Sequence, residues 1–193
     1  HITKETGVDG YLAADNPAVV SWRQTQALFD LYDPVVVLID TGKPDGAFSP
    51  TTLGLVKWFT DALAEVDGID PEGIQSIATE SRIYGTEEGV EIEPLMAAVP
   101  RTEEEAAAVR DATLGFTPYV GLLASEDGSA TVVTARLTNP ALGGAVYHAL
   151  RALVARAPLH GETVHIAGEA VMGEYLGEIL DRDAGLAAGL LKL

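Results

Sequence analysis

The chain has 193 residues, 47% of them hydrophobic and 21% charged, enough apolar material for one ordinary domain or two small subdomains on a shared core and too much for disorder. Its 29 acidic against 12 basic residues leave a net charge of −17, which repels nucleic-acid phosphate and anionic membrane surfaces alike. With no cysteine it can form neither a disulfide, a thiolate nucleophile nor a Cys-ligated zinc site.

Asn16–Pro17 reads as a helix start, an Asx cap followed by proline at the first helical position, and Asp33–Pro34 stops that helix at about residue 32. "VVVLID" (35–40) is a β-branched run that makes a buried strand. A turn-rich loop, "TGKPDGAF", follows; Ser49–Pro50 then caps a second helix over 50–66, with Leu53, Val56, Phe59 or Thr60, and Leu63 on one face. "DGIDPEG" closes it, and 74–79 is the expected second strand, completing one β–α–β unit.

Residues 80–101 are acidic and aperiodic and read as a surface connection. Thr102 with Glu105 is a capping box, placing a helix over 103–114. The runs "YVGLLAS" and "ATVVTARL" flank Glu126-Asp127-Gly128-Ser129, and Asp-Gly between strand-like runs predicts a hairpin. Asn139–Pro140 opens a further helix with Leu142, Val146, Leu150 and Leu153 on one face, and 163–167 is the last strand. The order is β–α–β, an inserted helix and strand, then β–α–β. It predicts an α+β fold of the split β–α–β, ferredoxin-like type (βαββαβ), helices on one sheet face, with an N-terminal helix and an inserted helix plus hairpin. The corresponding segments are 1–33 (N-terminal helical segment), 34–81 (first unit), 82–130 (inserted loop, helix and hairpin arm), 131–183 (second unit and exit helix) and 184–193 (apolar tail).

Most polar groups have ordinary structural explanations. His148, His160 and His165 fall on a helix, a turn and a strand with no paired ligand spacing, so no metal is expected. Glu103–Glu105 sit where carboxylates favour a helix N-terminus. Gly143–Gly144 and Gly168 belong to no phosphate-binding pattern; Gly168 instead permits a sharp strand-to-helix turn. Ser81, Ser125 and Ser129 lack a nucleophile elbow. No catalytic residue and no cofactor are expected.

The ordered phrases "AADNPAVV", "VVVLIDTGKPDGAFS", "EIEPLMAAVPRTEEE", "PYVGLLASEDGSATVVTARL" and "VHIAGEAVMGEYLGEILDRD" resemble the first extracytoplasmic loop of exporters of the resistance–nodulation–division (RND) superfamily, in particular its MMPL-like lipid exporters. The resemblance covers nearly the whole chain. It implies a porter domain on the periplasmic side of the cell membrane, part of a proton-driven exporter of hydrophobic or lipid-like cargo and not an enzyme. Partners would be that cargo, the parent's own transmembrane helices, its second porter loop and, in a homo-oligomer, further copies of the parent, but not nucleic acid. The apolar tail "AGLAAGLLKL" is then expected to lead toward a membrane helix. Lipophilic cargo calls for adaptable apolar walls. Among Trp22, Trp58, Phe48, Phe59, Phe116, Tyr119, Met96 and Met172, the four outside the periodic helix faces are Phe48, Met96, Phe116 and Tyr119, and these are the expected cargo contacts. Two other readings stay open: a soluble ferredoxin-like module that binds a regulatory ligand, and a small enzyme pairing Asp40 with Glu80 as acid and base.

Overall fold

The strand Val35–Asp40 (β1) alternates fully buried Val35, Val37 and Ile39 with half-buried Val36, Leu38 and Asp40, so one of its faces lies in the core and the other is partly open. The computed structural model describes residues 13, 15–29, 34–86, 89–169 and 171–179. The expected apolar tail and most of the segment before Asp15 lie outside the described residues.

Helix α1 (Pro17–Phe29) precedes β1, and Asn16 caps it, its Oδ1 accepting from Ala18 N at 2.9 Å. Helix α2 (Pro50–Ala64) starts at Ser49, whose Oγ accepts from Thr52 N at 3.1 Å. It presses Leu53, Val56, Phe59 and Leu63 onto the sheet as the periodicity requires. Strand β2 (Ile69–Gln75) then runs back alongside.

After the inserted segment, β5 (Ala130–Leu137), α4 (Gly143–Arg156) and β6 (Thr163–Ala167) repeat the unit, and residues 171–179 form a closing helix. The four-stranded sheet has the order β2–β5–β1–β6 with every pair antiparallel. Each strand of one unit is thus interleaved with those of the other, which is the ferredoxin-like arrangement the element order predicts. Val146, Leu150 and Leu153 of α4 share the core with α2 and with Val37, Ile39, Val133 and Ala135 of the sheet.

Three local expectations are corrected. Strand β2 begins at Ile69, not at 74, and its register shifts between Ile69 and Ile74. Pro71, which has no N–H to give a ladder, sits in that irregularity, and so the sequence reads as a loop. Residues 76–80 are a turn, closed by Thr79 N and Glu80 N donating to Ser76 O at 3.1 and 3.0 Å.

Residues 80–101, expected to be irregular, contain a two-stranded ribbon of β3 (Ser81–Thr86) and β4 (Gly89–Pro94). Finally, 119–125 is not a strand. Its arm is a 3₁₀ turn at Thr117–Tyr119 followed by a loop that touches β5 through one bridge, Ala124 to Thr131. The reason is non-local: β1 takes one edge of β5 and β2 takes the other from Thr134 to Leu137, which leaves the arm only the first residues of that second edge. The Asp-Gly turn itself forms, with Ser125 N donating to Ala130 O at 2.9 Å and Gly128 at φ +66°.

Helix α3 (Glu103–Leu114) packs Ala106, Val109 and Ala112 into the same core. Thr102 Oγ1 accepts from Glu105 N at 3.2 Å, while Glu105 Oε2 reaches back one residue further than a capping box requires, to Arg101 N at 2.6 Å.

Candidate apolar groove

Strand β6 pairs with β1 on one side and forms the edge of the sheet on the other. Beyond it the chain must reverse into the closing helix, and Gly168 makes that reversal possible. It sits at φ +128°, and a Cβ there would come within 2.6 Å of Pro34 O. The reversal sets the closing helix beside α4, leaving a groove of about 590 Å³ along the free edge of β6.

Its walls come from three elements. Helix α4 contributes Tyr147, Arg151, Val154 and Ala155, spaced for one helical stripe; β6 contributes Val164 to Ala167; the closing helix contributes Val171, Met172 and Tyr175. Val171 is buried, whereas Met172 and Tyr175 are half exposed. The lining is chiefly aliphatic and aromatic, with a thioether able to adapt its shape.

Charge is confined to the rim. Arg151 Nη1 pairs with Glu178 at 2.8 Å, and His148 Nε2 lies 3.3 Å from Glu174 Oε1, so two pairs strap α4 to the closing helix. The Arg151 guanidinium also lies 5.8 Å from the Tyr147 ring centre, within reach of a cation–π contact. A groove of this kind offers dispersion and desolvation to an apolar molecule, and orientation to any polar end it carries.

None of the four residues expected from sequence lines this groove. Phe48 and Met96 are buried in the common core. Phe116 and Tyr119 do come together, with ring centres 5.0 Å apart at 58°, but in a half-buried pair beside the ribbon. There the Tyr119 hydroxyl donates to Ser81 O at 2.7 Å and to Glu80 Oε2 at 3.3 Å. Burial first, then the Glu80 carboxylate, pushes the Tyr119 phenol pKa up. Met172, one of the wider set of apolar candidates, is the one the groove takes up. Tyr147, Val154, Ile166 and Tyr175 carry no distinguishing sequence signal beyond apolar spacing.

Asp40 accepts from Gly42 N at 2.8 Å, and Glu80 is engaged with Tyr119, so each carboxylate has a local partner. Of the histidines, His148 belongs to the rim and His165 to the groove wall. Among the described residues no group of three or more His, Asp or Glu side chains is placed to hold a metal ion.

Residues 60–190 match the model of the MMPL family. The chain belongs to the MMPL family. The match takes in every residue of the groove, whereas β1, the first turns of α2 and the "DNPA" helix start fall outside it. No curated protein matches the chain. Among the described residues of this MMPL domain, no helix is long and apolar enough to cross a membrane.

Proposed function

We propose that this MMPL domain is the extracytoplasmic, periplasmic porter domain of a proton-driven RND-type exporter, and that it handles hydrophobic or lipid-like cargo without catalysing a reaction. The groove between α4, the edge of β6 and the closing helix carries the reading, because it joins an adaptable apolar wall to a charged rim on a helix fastened by exposed ion pairs. Family membership and the ferredoxin-like order support it. In this reading the parent's transmembrane helices move the domain against its second porter loop, opening and closing the groove, with oligomeric copies alongside. The proton-carrying groups lie in those helices and not here.

The test is transport. Substituting Met172→Glu and Val154→Asp in the parent exporter places charge on the apolar wall, at a cost of about 2 kcal/mol or more per group to a bound hydrocarbon. Export of the lipophilic cargo should fall at least tenfold while the protein stays folded and in the membrane. Wild-type export by the doubly charged variant would overturn the assignment.

A further inference from the structure

The ribbon β3–β4 has no part in the groove, and its two faces differ in kind. On one face the register sets Arg82 opposite Glu93 and Tyr84 opposite Glu91. These pairs satisfy each other: Arg82 Nη2 donates to Glu93 Oε2 at 2.6 Å, and the Tyr84 hydroxyl to Glu91 Oε2 at 2.9 Å.

The other face sets Ile83 opposite Ile92, and Val90 opposite Gly85. Ile83, Ile92 and Val90 are 53%, 70% and 72% exposed. The two strands pack chiefly on one another, and hydrogen bonds from Leu95 N to Glu80 O and from the Tyr119 hydroxyl to Ser81 O hold the root. A lone two-stranded ribbon is marginal in water, and a run of branched apolar side chains on its open face adds a further cost until it is covered.

Charge selects the cover. Residues 81–94 hold four glutamates and one arginine, on a chain of net charge −17. That excess repels a second copy of the domain and an anionic lipid surface, and attracts a cationic border. We propose that the Ile83–Ile92–Val90 face docks a different protein surface, apolar at its centre and edged by lysine and arginine. Six residues per strand span about 20 Å, the length of roughly four helical turns, so one amphipathic helix would cover it.

A fluorescent amphipathic helical peptide of leucine and lysine, presented to the full chain, tests this, with a leucine–glutamate peptide as control. The expected result is saturable binding of the lysine peptide only, weakened about tenfold by Ile83→Thr/Ile92→Thr. That variant keeps β-branched strand formers in place. Val90→Lys, which leaves the Ile83–Ile92 pair untouched, should weaken binding as much if the ribbon is the site, and an unchanged melting temperature shows that the body is intact in both variants. No binding, equal binding by both variants and wild type, or equal binding of the glutamate peptide would overturn the proposal. Ribbon-dependent self-association in sedimentation, or ribbon-dependent partition into phosphatidylcholine vesicles, would also overturn it, in favour of a second copy or a lipid surface.

Discussion

Asp127 shows how one side chain shapes the connection into β5. Its Oδ1 accepts from Ser129 Oγ at 2.7 Å, Ser129 N at 3.0 Å and Ser125 Oγ at 2.8 Å, and its own carbonyl accepts from Asp45 N at 2.9 Å. Those donors, Ser129 foremost, lower its pKa from 3.8 to about 2. Because the folded-state pKa lies below the unfolded one, the carboxylate contributes stability that is complete above about pH 4 and is lost as pH falls toward about 2. Asp127→Asn should therefore lower the urea midpoint at neutral pH, and the gap from wild type should close as pH drops through that window. A gap that stayed constant from neutral pH down to about pH 2 would contradict the assignment. The turn was readable from Asp-Gly alone, whereas its docking onto Asp45 was not. Asp45 holds φ +57° and pairs with Arg110 at 2.6 Å, a contact between residues 65 positions apart that no local pattern announces.

At the scale of elements, those specified by their own residues were legible and those specified by neighbours were not. Ser49, Thr102 and Asn16 cap helices through short-range bonds, and the faces of α2 and α4 repeat at the helical period, so these helices could be read directly. The ribbon was hidden by its acidity, since its glutamates pair across strands in a register invisible in one dimension. The groove was hidden because α4, β6 and the closing helix meet only after folding. Phe48 and Met96, chosen for lying off the periodic faces, are core residues, for irregular segments also bury their large side chains.

The closing helix is strapped to α4 through exposed pairs, each worth about 1 kcal/mol or less. Arg151→Ala should accordingly speed amide exchange at 171–179 by roughly twofold to fivefold while leaving β1 and β5 protected. Unaltered exchange at 171–179 would show that the Arg151–Glu178 pair does not help to seat the helix.

At the scale of the molecule, one core joins both β–α–β units, because β5 lies between β1 and β2 while β1 lies between β5 and β6. Damage to one unit should then be felt by all. Leu150→Ala empties a fully buried position on α4 and is expected to cost about 3 kcal/mol in a single cooperative transition, read by urea denaturation with coincident fluorescence and circular dichroism. Two separate transitions would mean that the halves are energetically independent.

The contact of Gly168 with Pro34 has a mechanical corollary. The chain passes into and out of the sheet at a single corner, on adjacent antiparallel strands joined from Val36–Ala167 to Asp40–Thr163. Tension prising that corner open would part the ladder rung by rung, like a zip, whereas strands loaded in shear resist with all their bonds together. A pull applied at residues 34 and 168 is therefore the direction in which this pair of strands yields most easily.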